Sequence, residues 1–204
     1  FYAMISLAET RDNETGNHIK RTQAYIKRLA EQLRQNSRYV SELTDDFIAL
    51  LYKSAPLHDI GKIGIPDNIL QKEGSLTDDE FRVMKTHTTI GYEAIKNAEK
   101  VCGQPMKFLT VAKEIAYSHH ERWDGEGYPL GLAGEQIPLS ARLMAIADVY
   151  DALISKRVYK PAFSHSDAVN IIVSGKGTQF DPTIIDAFAE ITDELDAIAQ
   201  EYTN

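Results

Sequence analysis

The stretch APLHDIGKIGIP, residues 55–66, places the adjacent pair His58-Asp59 between an apolar helical segment and a loop interrupted by glycine. An imidazole nitrogen beside a carboxylate oxygen at the mouth of a pocket can bind a divalent cation. A His-Asp dipeptide alone also occurs by chance at the exposed end of an ordinary helix. The interpretation therefore depends on whether other metal-ligating residues of the chain converge on this pair.

Glu14 and His18 are the first such residues. They lie four residues apart at the start of a helix predicted over residues 17–35, so one helical turn would put both side chains on one face. The alternative is an exposed glutamate that the helix dipole stabilises. The spacing alone leaves both open.

Three further histidines occur in helical contexts. His87 lies in the middle of a predicted helix near its apolar face, where a hydrogen-bonded core histidine is the alternative to a ligand. His119 and His120 end another helix, and because successive helical side chains point about 100° apart, two neighbouring ions are their expected partners. The glycine-rich residues 122–137 that follow predict a structured loop whose backbone approaches a ligand.

Acidic and basic residues complete the pattern. Asp148 and Asp151 interrupt the apolar helix predicted over residues 141–154, so each is paired, metal-bound or unfavourably placed. Arg157 and Lys160 follow, either as a cationic pair at a site or as a solvated surface turn.

Eight candidate ligands come from most of the predicted helices, which is too many for one ion. They suit two or three octahedral ions bridged by a carboxylate, an arrangement that favours phosphodiester hydrolysis. The set is Glu14, His18, His58, Asp59, His87, His119, His120 and Asp148.

Composition limits the class of protein. A chain of 204 residues with 43% hydrophobic residues predicts one globular domain, residues 1–204. No apolar run approaches the roughly 20 residues of a membrane span, and no signal peptide is evident, so a cytoplasmic protein is expected.

The single Cys102 excludes a multi-thiolate zinc site and favours iron or manganese. A net charge of −8 argues against a nucleic-acid duplex as partner.

Hydrophobic periodicity predicts an all-α domain of about seven or eight helices, with no hairpin signal and no repeat. Thr44 or Asp45, Thr77 with Glu80, and Ser140 are the predicted helix caps. One long helix is expected to carry Phe81, His87 and Ile95 along one face, and a last helix is expected over residues 184–195. The chain begins in an apolar periodic segment, which indicates a fragment of a longer protein.

Four motifs together resemble those of HD-GYP domains, the subset of HD phosphohydrolases that hydrolyses the bacterial second messenger cyclic di-GMP. They are ETGNH at 14–18, HDIGKIGIP at 58–66, HHERWDGEGYP at 119–129 and DVYDALISKRVYK at 148–160. The match runs from about residue 9 to 188. The resemblance implies a compact HD-type helical bundle with a glycine-rich GYP loop.

The resemblance also implies roles for individual residues. It assigns the eight candidate ligands to metal, with Asp59 bridging ions and Glu14 associated with a third one. Lys62 would assist attack on phosphate or protonate the departing oxygen. Gly127 and Tyr128, with Pro129, would shape the substrate pocket and contact partner proteins, while Arg157 and Lys160 would hold the phosphates of the dinucleotide.

The expected function is that of a metal-dependent phosphodiesterase that opens cyclic di-GMP to linear pGpG, with further hydrolysis to GMP left open. The alternatives are a catalytically idle module that binds the nucleotide or a partner protein, and a general HD nucleotidase, which would lack the GYP segment and the pair Arg157 and Lys160. The resemblance also implies an upstream receiver or sensor domain, and a homodimer is a further expectation.

Overall fold

The computed structural model describes residues 16–155 and 162–202, and these residues form ten α-helices and three short 3₁₀ helices without a β-strand. This confirms the all-α prediction. In chain order the α-helices are α1 Gly16–Leu33, α2 Asp45–Ser54, α3 Asp67–Leu70, α4 Asp78–Lys85, α5 His87–Cys102, α6 Lys107–Ser118, α7 Leu139–Ile154, α8 His165–Ser174, α9 Pro182–Ala189 and α10 Thr192–Glu201. The 3₁₀ helices are Ala55–Leu57, Ile60–Gly64 and Gly134–Gln136.

Helix α1 is central to the bundle and packs against α2, α7, α9 and α10, while α5 packs against α6. The main core is made by buried apolar side chains of these helices, including Ile26, Leu29, Leu143, Ile184 and Phe188. A smaller apolar cluster consists of Ile19, Leu57, Ile95, Ala112 and Ala116. It joins α1, the first 3₁₀ helix, α5 and α6, which are the elements that carry or flank most of the histidines.

Two of the predicted caps are present. The Thr44 hydroxyl accepts a hydrogen bond from the Phe47 amide at the start of α2, and Thr77 forms a reciprocal capping box with Glu80 at the start of α4. The prediction for Ser140 is wrong, because α7 begins at Leu139 with Pro138 at the N-cap. Ser140 therefore lies within the first turn, and its hydroxyl donates to Glu114 over 2.7 Å.

The described residues contain more helices than expected because two predicted helices are each divided. Thr86 separates α4 from α5 while keeping helical dihedral angles, φ −67° and ψ −13°, and the last predicted helix is split into α9 and α10. No residue of α4 is buried. Phe81, expected on the same apolar face as His87, is instead 47% exposed.

The 3₁₀ helix Ile60–Gly64 packs closely on α5 at Gly61. A side chain there would bring Cβ within 1.8 Å of the His87 carbonyl oxygen, so only glycine permits the approach. This contact brings Asp59 and Lys62 towards His87. Within the described residues, no helix is both long enough and apolar enough to span a bilayer.

Candidate metal centre

His58 and Asp59 lie where two 3₁₀ helices meet. Ala55, Pro56 and Leu57 are buried, which fixes the backbone in front of His58, and Asp59 is the N-cap residue of Ile60–Gly64. Packing before and after the pair thus fixes the backbone that carries His58 and Asp59. His58 is buried, whereas Asp59 keeps partial exposure.

Three histidines share one orientation: Nδ1 donates to a backbone carbonyl three or four residues earlier. The pairs are His58 with Ala55 at 2.9 Å, His87 with Met84 at 2.8 Å, and His119 with Ile115 at 2.9 Å. Because a carbonyl oxygen can only accept, the proton of each neutral ring is on Nδ1. The lone pair on Nε2 is then available to a metal ion.

His18 is oriented by a carboxylate instead. Its Nδ1 lies 2.8 Å from Oδ2 of Asp151, and the same carboxylate accepts from Arg21 Nε over 2.6 Å and from Arg21 Nη2 over 3.0 Å. Burial raises the pKa of Asp151, but the hydrogen bonds from His18 and Arg21 hold it below its usual value. Asp151 is therefore the paired acid of the two that the sequence places in α7.

The nitrogen and carboxylate atoms converge in two groups, within each of which the potential ligand atoms lie no more than 4.8 Å apart. The first group is Asp59, His87, His119 and His120, and the second is His18, His58 and Asp148. Seven of the eight predicted ligands are thus brought together. The eighth, Glu14, lies outside the described residues, as do Arg157 and Lys160.

Asp59, a member of the first group, also contacts the second. Its Oδ1 is 3.2 Å from His87 Nε2 and 3.5 Å from His119 Nε2, while its Oδ2 is 3.3 Å from His58 Nε2. His58 Nε2 in turn lies 3.6 Å from Oδ1 of Asp148. One carboxylate therefore faces both groups, as a bridging ligand must.

The placement of the adjacent His119 and His120 differs from the prediction. His119 and His120 were predicted to serve two neighbouring ions, but both belong to the first group and their ring centroids are 4.0 Å apart. The reason is that His119 is already past the last residue of α6, so the regular helical angle between successive side chains does not extend to His120.

Burial and neighbouring charges give most of these residues the protonation states that ligands need. Burial lowers the pKa values of His119 and His120, which favours neutral rings. Burial raises the pKa of Asp59, but the charges on Lys62 and His58 outweigh it and hold this pKa well below its usual value. For His58, burial lowers the pKa, yet Asp59 and Asp148 raise it well above the ordinary value. A divalent cation would replace that proton.

Several buried polar atoms of the cluster have no hydrogen-bond partner among the described residues. They are Nε2 of His58, His87 and His119 and Oδ1 of Asp59. Buried polar atoms without partners cost roughly 1–3 kcal/mol each, so their convergence calls for an explanation. Cations bound in the two groups would satisfy all four atoms, and the His/Asp cluster therefore fits a divalent metal site.

Lys62 and the GYP loop border this cluster. Lys62 Nζ lies 2.7 Å from Oδ2 of Asp59. The ring of Tyr128 stacks on His120, with centroids 4.8 Å apart and an interplanar angle of 25°. Gly127 lies against the backbone of the same loop, where a Cβ atom would come within 2.4 Å of the Arg122 nitrogen.

Two organising residues were missed from the sequence. Arg21, three residues after His18, shares its helical face, and that spacing was an available signal. Glu121 is buried and its carboxylate accepts from the Leu130 and Leu132 amides over 2.7 and 3.0 Å, which closes the GYP loop. No local pattern marks this role, because the partners are defined by the path of the loop.

Comparison with known proteins agrees with this geometry. A family model described as HD domain matches residues 3–184. The chain belongs to the HD domain family. This HD domain is 58% identical over 200 residues to a "Cyclic di-GMP phosphodiesterase" of Vibrio cholerae serotype O1, covering 98% of the chain and 40% of that relative. It is 38% identical over 197 residues to a "3'3'-cGAMP-specific phosphodiesterase 2" of the same organism, covering 97% of the chain and 35% of that relative. The chain thus spans less than half the length of either relative.

A solved structure also resembles the fold. The crystal structure of a cyclic GMP-AMP specific phosphodiesterase of V. cholerae superposes with a TM-score of 0.67 at 17% identity, covering 99% of the chain and 50% of that protein. The bundle of this HD domain is therefore the helical fold found in phosphodiesterases, as the resemblance implied.

Proposed function

We propose that this HD domain is a metal-dependent phosphodiesterase that hydrolyses cyclic di-GMP to linear pGpG. The observation that carries the proposal is the position of Asp59 between two groups of ligand atoms, which matches the needs of a bridged metal pair. The name of the 58% identical relative supports cyclic di-GMP as substrate.

His87, His119 and His120 would hold one ion and His18, His58 and Asp148 the other, with Asp59 shared. Bound divalent ions would neutralise phosphate oxygens and lower the pKa of a water molecule. The absence of thiolate ligands supports iron or manganese rather than structural zinc. Glu14 as a ligand of a third ion stays a prediction.

Lys62 would deliver a proton during the reaction. Hydrolysis adds water to phosphorus and breaks one P–O bond, so the departing ribose oxygen needs a proton. The ammonium of Lys62, held 2.7 Å from Asp59, is close enough to the bridging carboxylate to serve a phosphate bound there. The ion pair with Asp59 would orient this ammonium towards the bound phosphate.

The intact ligand set supports an enzyme over a catalytically idle binding module. A second candidate substrate is 3'3'-cGAMP, because the 38% identical relative is named for it and its phosphodiester linkages make the same demands on the site. An upstream receiver or sensor domain, protein partners of the GYP loop and a homodimer stay predictions.

The test is a product time course with protein purified without oxygen and loaded with manganese or iron. Chromatography should show cyclic di-GMP converted to pGpG, and the same series shows whether GMP follows. Metal analysis of the same samples gives the identity and number of ions. Parallel reactions with 3'3'-cGAMP rank the two substrates. If the protein carries a full metal complement and the amount of cyclic di-GMP does not fall, the proposal is refuted.

A further inference from the structure

An exposed aromatic residue borders the metal centre without serving the core. Phe81 is 47% exposed on α4, a helix with no buried residues. Its ring meets the ring of Tyr128 edge to face, with centroids 6.3 Å apart and an interplanar angle of 83°. Since Tyr128 in turn stacks on His120, an aromatic surface runs outward from the first ligand group.

Lys85 completes this surface. Its ammonium nitrogen lies 5.3 Å from the ring centroid of Phe81 and 5.6 Å from that of Tyr128. Within the part of the chain that the structure describes, this ammonium makes no hydrogen bond and no ion pair with a side chain. The half-buried lysine is thus held by two aromatic rings while its N–H donors remain available to a ligand.

We propose that Phe81, Lys85 and Tyr128 form a base subsite that binds one guanine of the substrate. The inference rests on the proposed function, because a phosphate bound at the metal centre carries its nucleoside to the rim of the site. Every nucleobase offers a π-face to stacked aromatic side chains. Guanine also presents two acceptors, N7 and O6, on one edge, which suits a lysine donor, whereas adenine presents a donor in place of O6.

The first test measures binding rather than turnover. Isothermal titration of the metal-loaded protein compares GMP with ribose 5-phosphate, which has the phosphate and sugar but no base. GMP should bind roughly tenfold more tightly, as expected for one stacked base. Phe81→Leu keeps an apolar side chain without a ring and should remove most of this preference. Val83→Ala, an exposed apolar position on the same helix, is the matched control and should leave it unchanged.

The second test concerns the lysine. Lys85→Met should reduce the preference for GMP over AMP, while binding of ribose 5-phosphate stays the same. Lys96→Met is the matched control, because Lys96 lies over the Tyr92 ring at 5.3 Å in a similar cation–π contact on α5. In hydrolysis, Phe81→Leu should raise KM for cyclic di-GMP with little change in kcat, the pattern of lost ground-state binding.

These results separate the two proposals. Equal binding of GMP and ribose 5-phosphate to the wild-type protein would overturn the base subsite, as would a Phe81→Leu protein that keeps the preference. Loss of hydrolysis in Phe81→Leu with unchanged nucleotide binding would also overturn it, because the ring would then act in turnover without holding the base. Phe81-dependent GMP binding without any hydrolysis of cyclic di-GMP would support the base subsite and refute the proposed reaction.

Discussion

Replacing Asp151 by asparagine tests how the second ligand group is organised. The Asp151 carboxylate, 1% exposed, accepts from both His18 Nδ1 and the Arg21 guanidinium. Asparagine offers one acceptor oxygen and a donating NH₂, so it cannot serve both partners at once. Either His18 loses the acceptor that fixes its ring, or the buried Arg21 loses its countercharge.

The expected magnitudes follow from these two losses. Loss of an orienting partner of a metal-bound histidine lowers metal affinity about 10- to 100-fold, equivalent to about 1.4–2.8 kcal/mol. An uncompensated Arg21 should lower the free energy of unfolding by roughly 3 kcal/mol or more. Competition with a chelator measures manganese affinity, and urea unfolding of the metal-free protein measures stability.

Asp181→Asn is the matched control. Asp181 is also a buried aspartate paired with an arginine, with Arg142 Nη1 2.6 Å from its carboxylate, but it caps α9 and belongs to neither ligand group. It should lower stability comparably and leave manganese affinity unchanged. If Asp151→Asn keeps its manganese affinity, or if both variants lose it equally, the orienting role of Asp151 is wrong.

The loss of stability in Asp151→Asn should depend on pH in a definite direction. Burial raises the pKa of Asp151, but hydrogen bonds from His18 and Arg21 hold it below the unfolded value of about 3.9. The ionised carboxylate therefore stabilises the fold above that pH, and the contribution is lost as pH falls through the folded pKa. Urea unfolding at a series of pH values should show the gap between wild type and Asp151→Asn narrowing in acid. A constant gap would contradict this.

Three further predictions concern the reaction. Asp59→Ala should lose bound metal and hydrolysis while circular dichroism stays helical, and a fully active variant would contradict the bridging assignment. Lys62→Met should lower kcat by roughly 10²-fold or more while metal analysis shows an unchanged content. Replacing both Arg157 and Lys160 with alanine should raise KM for cyclic di-GMP at least about tenfold, since each charged hydrogen bond contributes about 1.5–3 kcal/mol. Hydrolysis of a small phosphodiester without a second phosphate should change little. Equal losses on both substrates would mean that the pair supports the metal site or the fold.

Local patterns in the sequence were sufficient for the helical class and for several of its boundaries. Thr44 and Thr77 cap helices as predicted, because a cap depends on residues only two or three positions away. Helical periodicity also located α1 and placed the end of α6 close to His119. The choice of histidine and carboxylate over thiolate, and hence the class of metal site, followed from residue types alone.

Relations between distant segments were decided by tertiary structure. The contact of His18 with Asp151 joins residues 133 positions apart, and no local pattern distinguishes Asp151 as a partner from Asp148 as a candidate ligand. The helix is divided at Thr86, although neither proline nor glycine stands there, and Phe81 on α4 is exposed. The division depends on how α4 and α5 pack against the rest of the bundle. The sharing of one group by His119 and His120 likewise depends on where the chain leaves α6. Sequence determines which side chains can bind a metal, whereas the packing of whole helices sets the ångström-scale distances that make them ligands of the same ion.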